Sequence, residues 1–152
     1  MKVMIGVDDS PCSQAALEFV RRVSWPPDTT VMVVSSVATP VSAYVAAYAP
    51  TGLDFGSWAD DLMKYHQQVA SRGEAVLRGA GLRVASRVLE GDARETLVEE
   101  ARRERADLVV VGSHGRTGLD KLVMGSVASH VVTHAPCSVL VVKERASQPQ
   151  NA

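Results

Sequence analysis

Valine is distributed along this chain in short, nearly uninterrupted blocks, separated by stretches whose apolar residues recur at helical spacing. The sequence holds 25 valines against one isoleucine and two phenylalanines. A β-branched side chain is stiff about χ1 and packs well on a pleated surface, so the blocks predict strands and a sheet-centred core. Five strands are legible: Lys2 to Asp8, Thr30 to Val37, Leu82 to Leu89, Leu108 to Gly112 and Ser138 to Val142. Helical patterns lie between them: Cys12 to Val23, about Trp58 to Gly79, Arg94 to Arg105 and about Ser126 to Ala135. Strict alternation of strand and helix predicts an α/β fold, a parallel sheet with helices on both faces.

The pattern inside each block places it in the sheet. The first, second and fourth blocks are apolar on both faces, as central strands covered by helices should be. The third alternates, with Arg83, Ser86 and Arg87 interspersed, which marks an edge. The fifth, Val139 to Val142, is continuous and uncharged; as the other edge it needs a cover. The expected order is therefore 3-2-1-4-5, with the winding reversing between the first and fourth strands. Local signals fix the helix ends. Ser10 before Pro11 reads as an N-cap with proline at the first helical position. Asp92 with Glu95 three residues on resembles a capping box, and Ser126 is the expected cap of the last helix.

Composition narrows the function classes. With 152 residues, 46% apolar, and 16 basic against 17 acidic side chains, the chain reads as one soluble domain over 1–143, with a polar tail at 144–152. Near-neutral charge argues against nucleic acid, whose binders usually show a basic excess. The longest apolar run, Ala43 to Ala49, is too short to span a membrane. No basic and apolar leader opens the chain, so a cytoplasmic location is expected. Two cysteines, Cys12 and Cys137, exclude a disulfide scaffold; they are expected at opposite ends of the sheet and reduced. The stretch Ala38 to Ser57, with Pro40, Pro50, Tyr44 and Tyr48, is long for a loop inside a compact domain and reads either as a functional flap or as a segment containing a short helix.

The chemistry concentrates after the fourth strand, in Gly112-Ser-His-Gly115-Arg-Thr-Gly118, followed by Gly125-Ser126 at a helix start. Glycines allow tight turns and close backbone approach, and the free amides of a helix N-terminus suit a phosphate. A plain glycine turn would look the same locally. Topology favours a ligand, because open α/β sheets bind at the carboxyl ends of strands where the winding reverses. There the first strand ends at Asp8 and the fourth at Gly112. A carboxylate suited to sugar hydroxyls would thus face a loop suited to phosphates, the two halves of a nucleotide. Neither the dinucleotide-binding G-x-G-x-x-G nor the P-loop G-x-x-x-x-G-K-[ST] is present.

Gly112-x-x-Gly115, nine residues, then Gly125-Ser126 resembles the G-2x-G-9x-G-[S/T] signature of the universal stress protein family. Val7-Asp8-Asp9-Ser10 resembles the end of that family's first strand, and the order of elements matches over about Met1 to Lys143. The resemblance implies a Rossmann-like three-layer α/β fold and a homodimer that binds ATP, with or without Mg²⁺; a complete phosphate loop with no catalytic constellation beside it then reads as a nucleotide-dependent regulator in stress response. Carried over by position, Asp8 would hold the ribose, with Val7 and Val37 beside the adenine. Gly112, Gly115, Gly125 and Ser126 would hold the phosphates, with His114, Arg116 and Val127 lining the loop. The dimer would form by pairing of the final strand Val139 to Val142 with its copy, which also removes the exposed edge.

Other readings use the same residues. A slow ATPase or adenylate-forming enzyme would need an activated nucleophile, yet Ser113 and His114 lack an orienting third group. A phospho-receiver domain would share Asp8 and Asp9, but the third strand ends in Glu90-Gly91 where that fold needs aspartate. His130 and His134 stand four apart on the last helix without a third metal ligand nearby in sequence, and read as surface residues. Trp25 and Trp58 read as packing residues.

Overall fold

The structure, a computed structural model, describes residues 1–38, 55–115 and 124–144, with the backbone alone at 55 and 56. Nine elements follow one another: β1 (Lys2–Gly6), α1 (Pro11–Arg22), β2 (Thr30–Val37), α2 (Phe55–Gly79), β3 (Arg83–Glu90), α3 (Ala93–Arg103), β4 (Leu108–Gly112), α4 (Ser126–His134) and β5 (Ser138–Val142). The five strands are all parallel and pair in the order β3-β2-β1-β4-β5. The alternating third block and the uncharged fifth block are the two edges, as their patterns require.

Successive side chains of a strand point to opposite faces, so each central strand feeds two cores. Val3, Ile5 and Val7 join Val31 and Val33 under Ala16 and Val20 of α1 and Val69 and Leu77 of α2. Met4 and Val34 join Val109 and Val111 under Leu97, Val98 and Ala101 of α3 and Ala128 and Val131 of α4. This double burial is why the blocks are valine on both faces. A fully buried valine contributes about 1.5–3 kcal/mol relative to an exposed one, and Val33, Val109 and Val110 are all fully buried. Trp25 packs at the rim of the first core, its indole N–H donating to the Val20 carbonyl at 2.8 Å.

Element ends follow side-chain chemistry. Ser10 caps α1 by accepting from the Ser13 amide, with Pro11 at the first position. Asp92 caps α3, its carboxylate accepting from the Arg94 amide at 2.8 Å. Two boundaries differ from expectation. The helical segment begins at Phe55, not near Trp58, so the end of the expected loop is helical; residues 39–54 lie outside the described ones. The tail beyond 144 lies outside them too. At α4 the cap is Gly125, and Ser126 is already helical. On edge β3, Arg87 reaches across the sheet face to the carboxylates of Glu100 on α3 and Glu104 at its C-cap.

Candidate functional site

The reversal of winding falls between β1 and β4, and the carboxyl ends of these strands meet across a cleft. Asp8 follows β1 and is half-buried. Its Oδ1 accepts from the Ser10 amide at 2.9 Å and from the Ser10 hydroxyl. Its own amide donates to Ser13 Oγ at 3.0 Å, while the Ser13 amide donates to Ser10 Oγ at 3.2 Å. An aspartate that bonds the backbone two residues on makes its own turn. Here that turn fixes one carboxylate oxygen and leaves Oδ2 facing the β4 loop, where a Cβ on Gly115 would come within 3.1 Å of it.

The other two glycines of the motif also sit at close approaches. A Cβ on Gly112 would meet the backbone carbon of Cys12 at 2.8 Å, so the end of β4 can lie on the first turn of α1 only as glycine. A Cβ on Gly125 would lie 3.1 Å from the Ser113 carbonyl oxygen and 3.3 Å from His114 Cα. The Gly125 amide donates to that same carbonyl at 2.8 Å, which draws the start of α4 onto the loop.

Among the described residues no side chain caps α4. The amides of its first turn have no acceptor within the helix and carry the positive end of its dipole. Serine was the expected cap because its hydroxyl would accept one of these amides. Glycine occupies the position because the Ser113 carbonyl stands where a side chain would go. The N-cap therefore has no capping side chain of its own, and Ser126 is exposed in the first turn.

Three serines that local sequence patterns did not bring forward as site residues hold the cleft together: Ser10 and Ser13 beneath Asp8, and Ser113. Buried Ser113 donates its amide to the Val142 carbonyl at 2.8 Å. Its hydroxyl stands 3.0 Å from His114 Nδ1 and 3.6 Å from Cys12 Sγ. Ser10 Oγ, whose one proton goes to Asp8 Oδ1, also stands 3.4 Å from the His114 carbonyl oxygen. The Ser113–Cys12 and Ser10–His114 contacts join residues about a hundred positions apart, which no local pattern reveals.

The structure gathers Val7, Asp8, Gly112, His114, Gly115, Gly125, Ser126 and Val127 at one end of the sheet. Val7 is buried, its amide donating to the Val34 carbonyl at 2.8 Å. Val37 is buried at the end of neighbouring β2, and its carbonyl accepts from the Gly91 amide at 2.9 Å. The Val127 side chain packs against the α3/α4 core, so its amide is what it offers to a ligand. Arg116 lies outside the described residues.

The remaining candidates are elsewhere. Cys12 is buried at the carboxyl end of the sheet and Cys137 lies at the amino end of β5; both are free thiols. Burial raises the Cys137 thiol pKa, and nearby Asp107 adds to the rise. The His130 and His134 rings stack at 4.1 Å, and His134 Nδ1 donates to the His130 carbonyl at 2.9 Å. Among the described residues no group of three metal-ligating side chains converges. No helix there is long and apolar enough to cross a membrane.

A parallel sheet in the order 3-2-1-4-5, with a glycine-lined cleft at the reversal of winding, defines a Rossmann-like α/β protein. The sequence model of the universal stress protein family matches residues 1–143. A universal stress protein of Methanocaldococcus jannaschii is 32% identical over 146 residues, covering 94% of this chain and 82% of that one. The chain belongs to the universal stress protein family. Among solved structures, a further protein of that organism superposes with a TM-score of 0.81 at 23% identity, covering 96% of this chain and 97% of the other. An Arabidopsis thaliana family member with AMP bound has a TM-score of 0.66 at 20% identity, covering 99% and 97%. One from Archaeoglobus fulgidus in complex with dAMP has a TM-score of 0.67 at 19% identity, covering 94% and 98%. At these identities the structures establish the fold.

Proposed function

We propose that this protein binds an adenine nucleotide, ATP foremost, in the cleft between β1 and β4, and acts as a nucleotide-dependent regulator. The observation that carries the reading is the pairing of two unlike halves. The Asp8 carboxylate, held by Ser10 on one oxygen, faces Gly115, and beside it α4 opens at Gly125 with no side-chain cap among the described residues. A carboxylate accepts hydrogen bonds from ribose hydroxyls, and helix amides donate to phosphate oxygens. AMP and dAMP in two family members support the adenine class.

In this reading Asp8 holds the ribose and Val7 and Val37 flank the base. The backbone at Gly112, Gly115, Gly125 and Ser126 binds the phosphates, with His114, Arg116 and Val127 along the loop. Mg²⁺ would accompany a polyphosphate by offsetting its charge. The edge strand β5 pairs with its copy in a homodimer, so the loop joined to β5 through Ser113 and Val142 lies beside the subunit contact.

Calorimetric titration of nucleotide-free protein with ATP, ADP and AMP tests the assignment. The expected result is saturable binding, weakened at least tenfold by Asp8→Ala and by Gly115→Val, with thermal stability retained in both. Absence of binding by the wild type, or undiminished binding in both variants, overturns it.

A further inference from the structure

A second concavity lies at the opposite end of the sheet, around the amino ends of β1, β2 and β3, with a volume of about 280 Å³. Register explains its shape. Met4, Met32 and Ala85 are Cα partners across three adjacent strands, and so form one apolar rung on the α3 face. Met4 is 1% exposed and forms the floor, Met32 is half-buried, and Ala85 on the edge strand stays exposed. Ala106, just beyond α3, closes one side.

The rung immediately before it is polar and cationic: Lys2, Thr30 and Arg83 are likewise aligned partners, and all three line the cavity. Residues two apart on a strand share a face about 6.6 Å apart. An apolar bed therefore stands one such step from two cations and a hydroxyl. The acidic groups nearby each have a partner, although Glu104 itself lines the cavity and Asp28 meets the rung at Arg83. The Glu104 carboxylate turns to Arg87 at 3.1 Å and Arg103 at 4.0 Å. The Asp107 carboxylate accepts from the Lys2 main-chain amide at 2.6 Å. Asp28 pairs with Arg83 on open surface, where such pairs are weak. Lys2 Nζ itself donates to a neutral acceptor, the Glu104 carbonyl, at 3.0 Å. Among the described residues no carboxylate forms an ion pair with it.

We propose that this cavity is a binding site for a small amphipathic carboxylate, with its head on the Lys2-Thr30-Arg83 rung and its apolar body on the Met4-Met32-Ala85 rung. A cavity of about 280 Å³ has room for a short alkyl chain. The site lies at the far end of the sheet from the β1/β4 cleft and does not depend on the reading of that cleft.

Octanoate is the probe, with octylamine as the control of opposite charge, titrated into the full chain by calorimetry and by amide NMR shifts. The expected result is saturable octanoate binding, with shifts concentrated at residues 2–4, 30–32 and 83–85 and no comparable binding of octylamine. Ala85→Leu, which fills the bed, and Lys2→Glu, which reverses the head contact, should each weaken binding at least tenfold, with the thermal midpoint showing that both remain folded. No saturable binding, equal binding of octylamine, or insensitivity to both variants overturns the proposal. So does a change of sedimentation mass on Ala85→Leu without a change in octanoate affinity, because the face would then be a contact between copies.

Discussion

At the residue scale, glycines of the same chemistry do different work according to what surrounds them. Gly112 abuts backbone atoms of Cys12, which cannot swing aside, whereas Gly115 abuts only the end of the Asp8 side chain. Gly112→Ala should therefore destabilise the protein by about 1–3 kcal/mol, the usual cost of overpacking, while Gly115→Ala should leave the denaturation midpoint nearly unchanged and weaken nucleotide binding. Gly79, at the end of α2, has nothing within 4 Å of its would-be Cβ. Gly79→Ala should be neutral or stabilise by about 0.4–1 kcal/mol through the unfolded chain. Urea unfolding of the three variants checks the ranking. Asp92 offers a pH test at the same scale. The Arg94 guanidinium, and then the Arg94 amide, hold its carboxyl at about 2, against an ordinary value of 3.8. A pKa depressed by folding means that the stabilisation is complete above the unfolded value and is lost as pH falls through the folded one. Asp92 is substantially exposed, so solvent screening keeps the ionic part small. Asp92→Ala should cost about 1 kcal/mol near neutrality, as loss of a cap does, and the gap to wild type should narrow as pH falls from about 4 to about 2.

At the scale of elements, much was legible because each strand's apolar pattern is set by its own neighbours. Val31 to Val34 needs cover on both faces, and Arg83 to Leu89 tolerates water on one, so the order β3-β2-β1-β4-β5 follows from pattern. What could not be read is where an element ends under tertiary contact. The pattern predicts β1 to Asp8, but the strand ends at Gly6; Val7 still donates to Val34 of β2, and the Asp8 amide turns away to Ser13 Oγ. Ser126 was expected to cap α4, but the approach of Ser113 made the cap Gly125. That helix start yields a prediction of opposite signs. Ser126→Asp places a carboxylate in the first turn of α4, which should stabilise the helix by about 0.3–1 kcal/mol through its dipole. The same charge occupies the proposed phosphate position and should abolish nucleotide binding. A variant with a raised melting temperature and intact ATP affinity would remove α4 from the site. The edge β5 gives a second test of an element. Its middle residues are half-buried and uncharged, so pairing with a copy would hide them. Val141→Glu should convert a dimer to monomer in sedimentation velocity; an unchanged mass would place the subunit contact elsewhere.

At the scale of the whole molecule, the two ends of the sheet differ in how they are built. The amino end is assembled from register alone, because Lys2, Thr30 and Arg83 align as strand partners. The carboxyl end instead requires the β1 turn, the β4 loop and the start of α4 to converge from both halves of the chain. Asp8 and Gly115 approach one another only once β1 and β4 have paired and α1 has settled on Gly112. The unfolded chain therefore has no version of the cleft, and a nucleotide that binds there binds the native state alone. Free ATP at about 100 times its dissociation constant should then stabilise the protein by about 2.7 kcal/mol. For a chain of this size that corresponds to a rise of roughly 5–10 °C in melting temperature. Asp8→Ala should melt close to the unliganded wild type and lose this rise at the same ATP concentration. If ATP lifts both proteins equally, the stabilising site is elsewhere on the fold; if it lifts neither while AMP does, the cleft is built for a monophosphate.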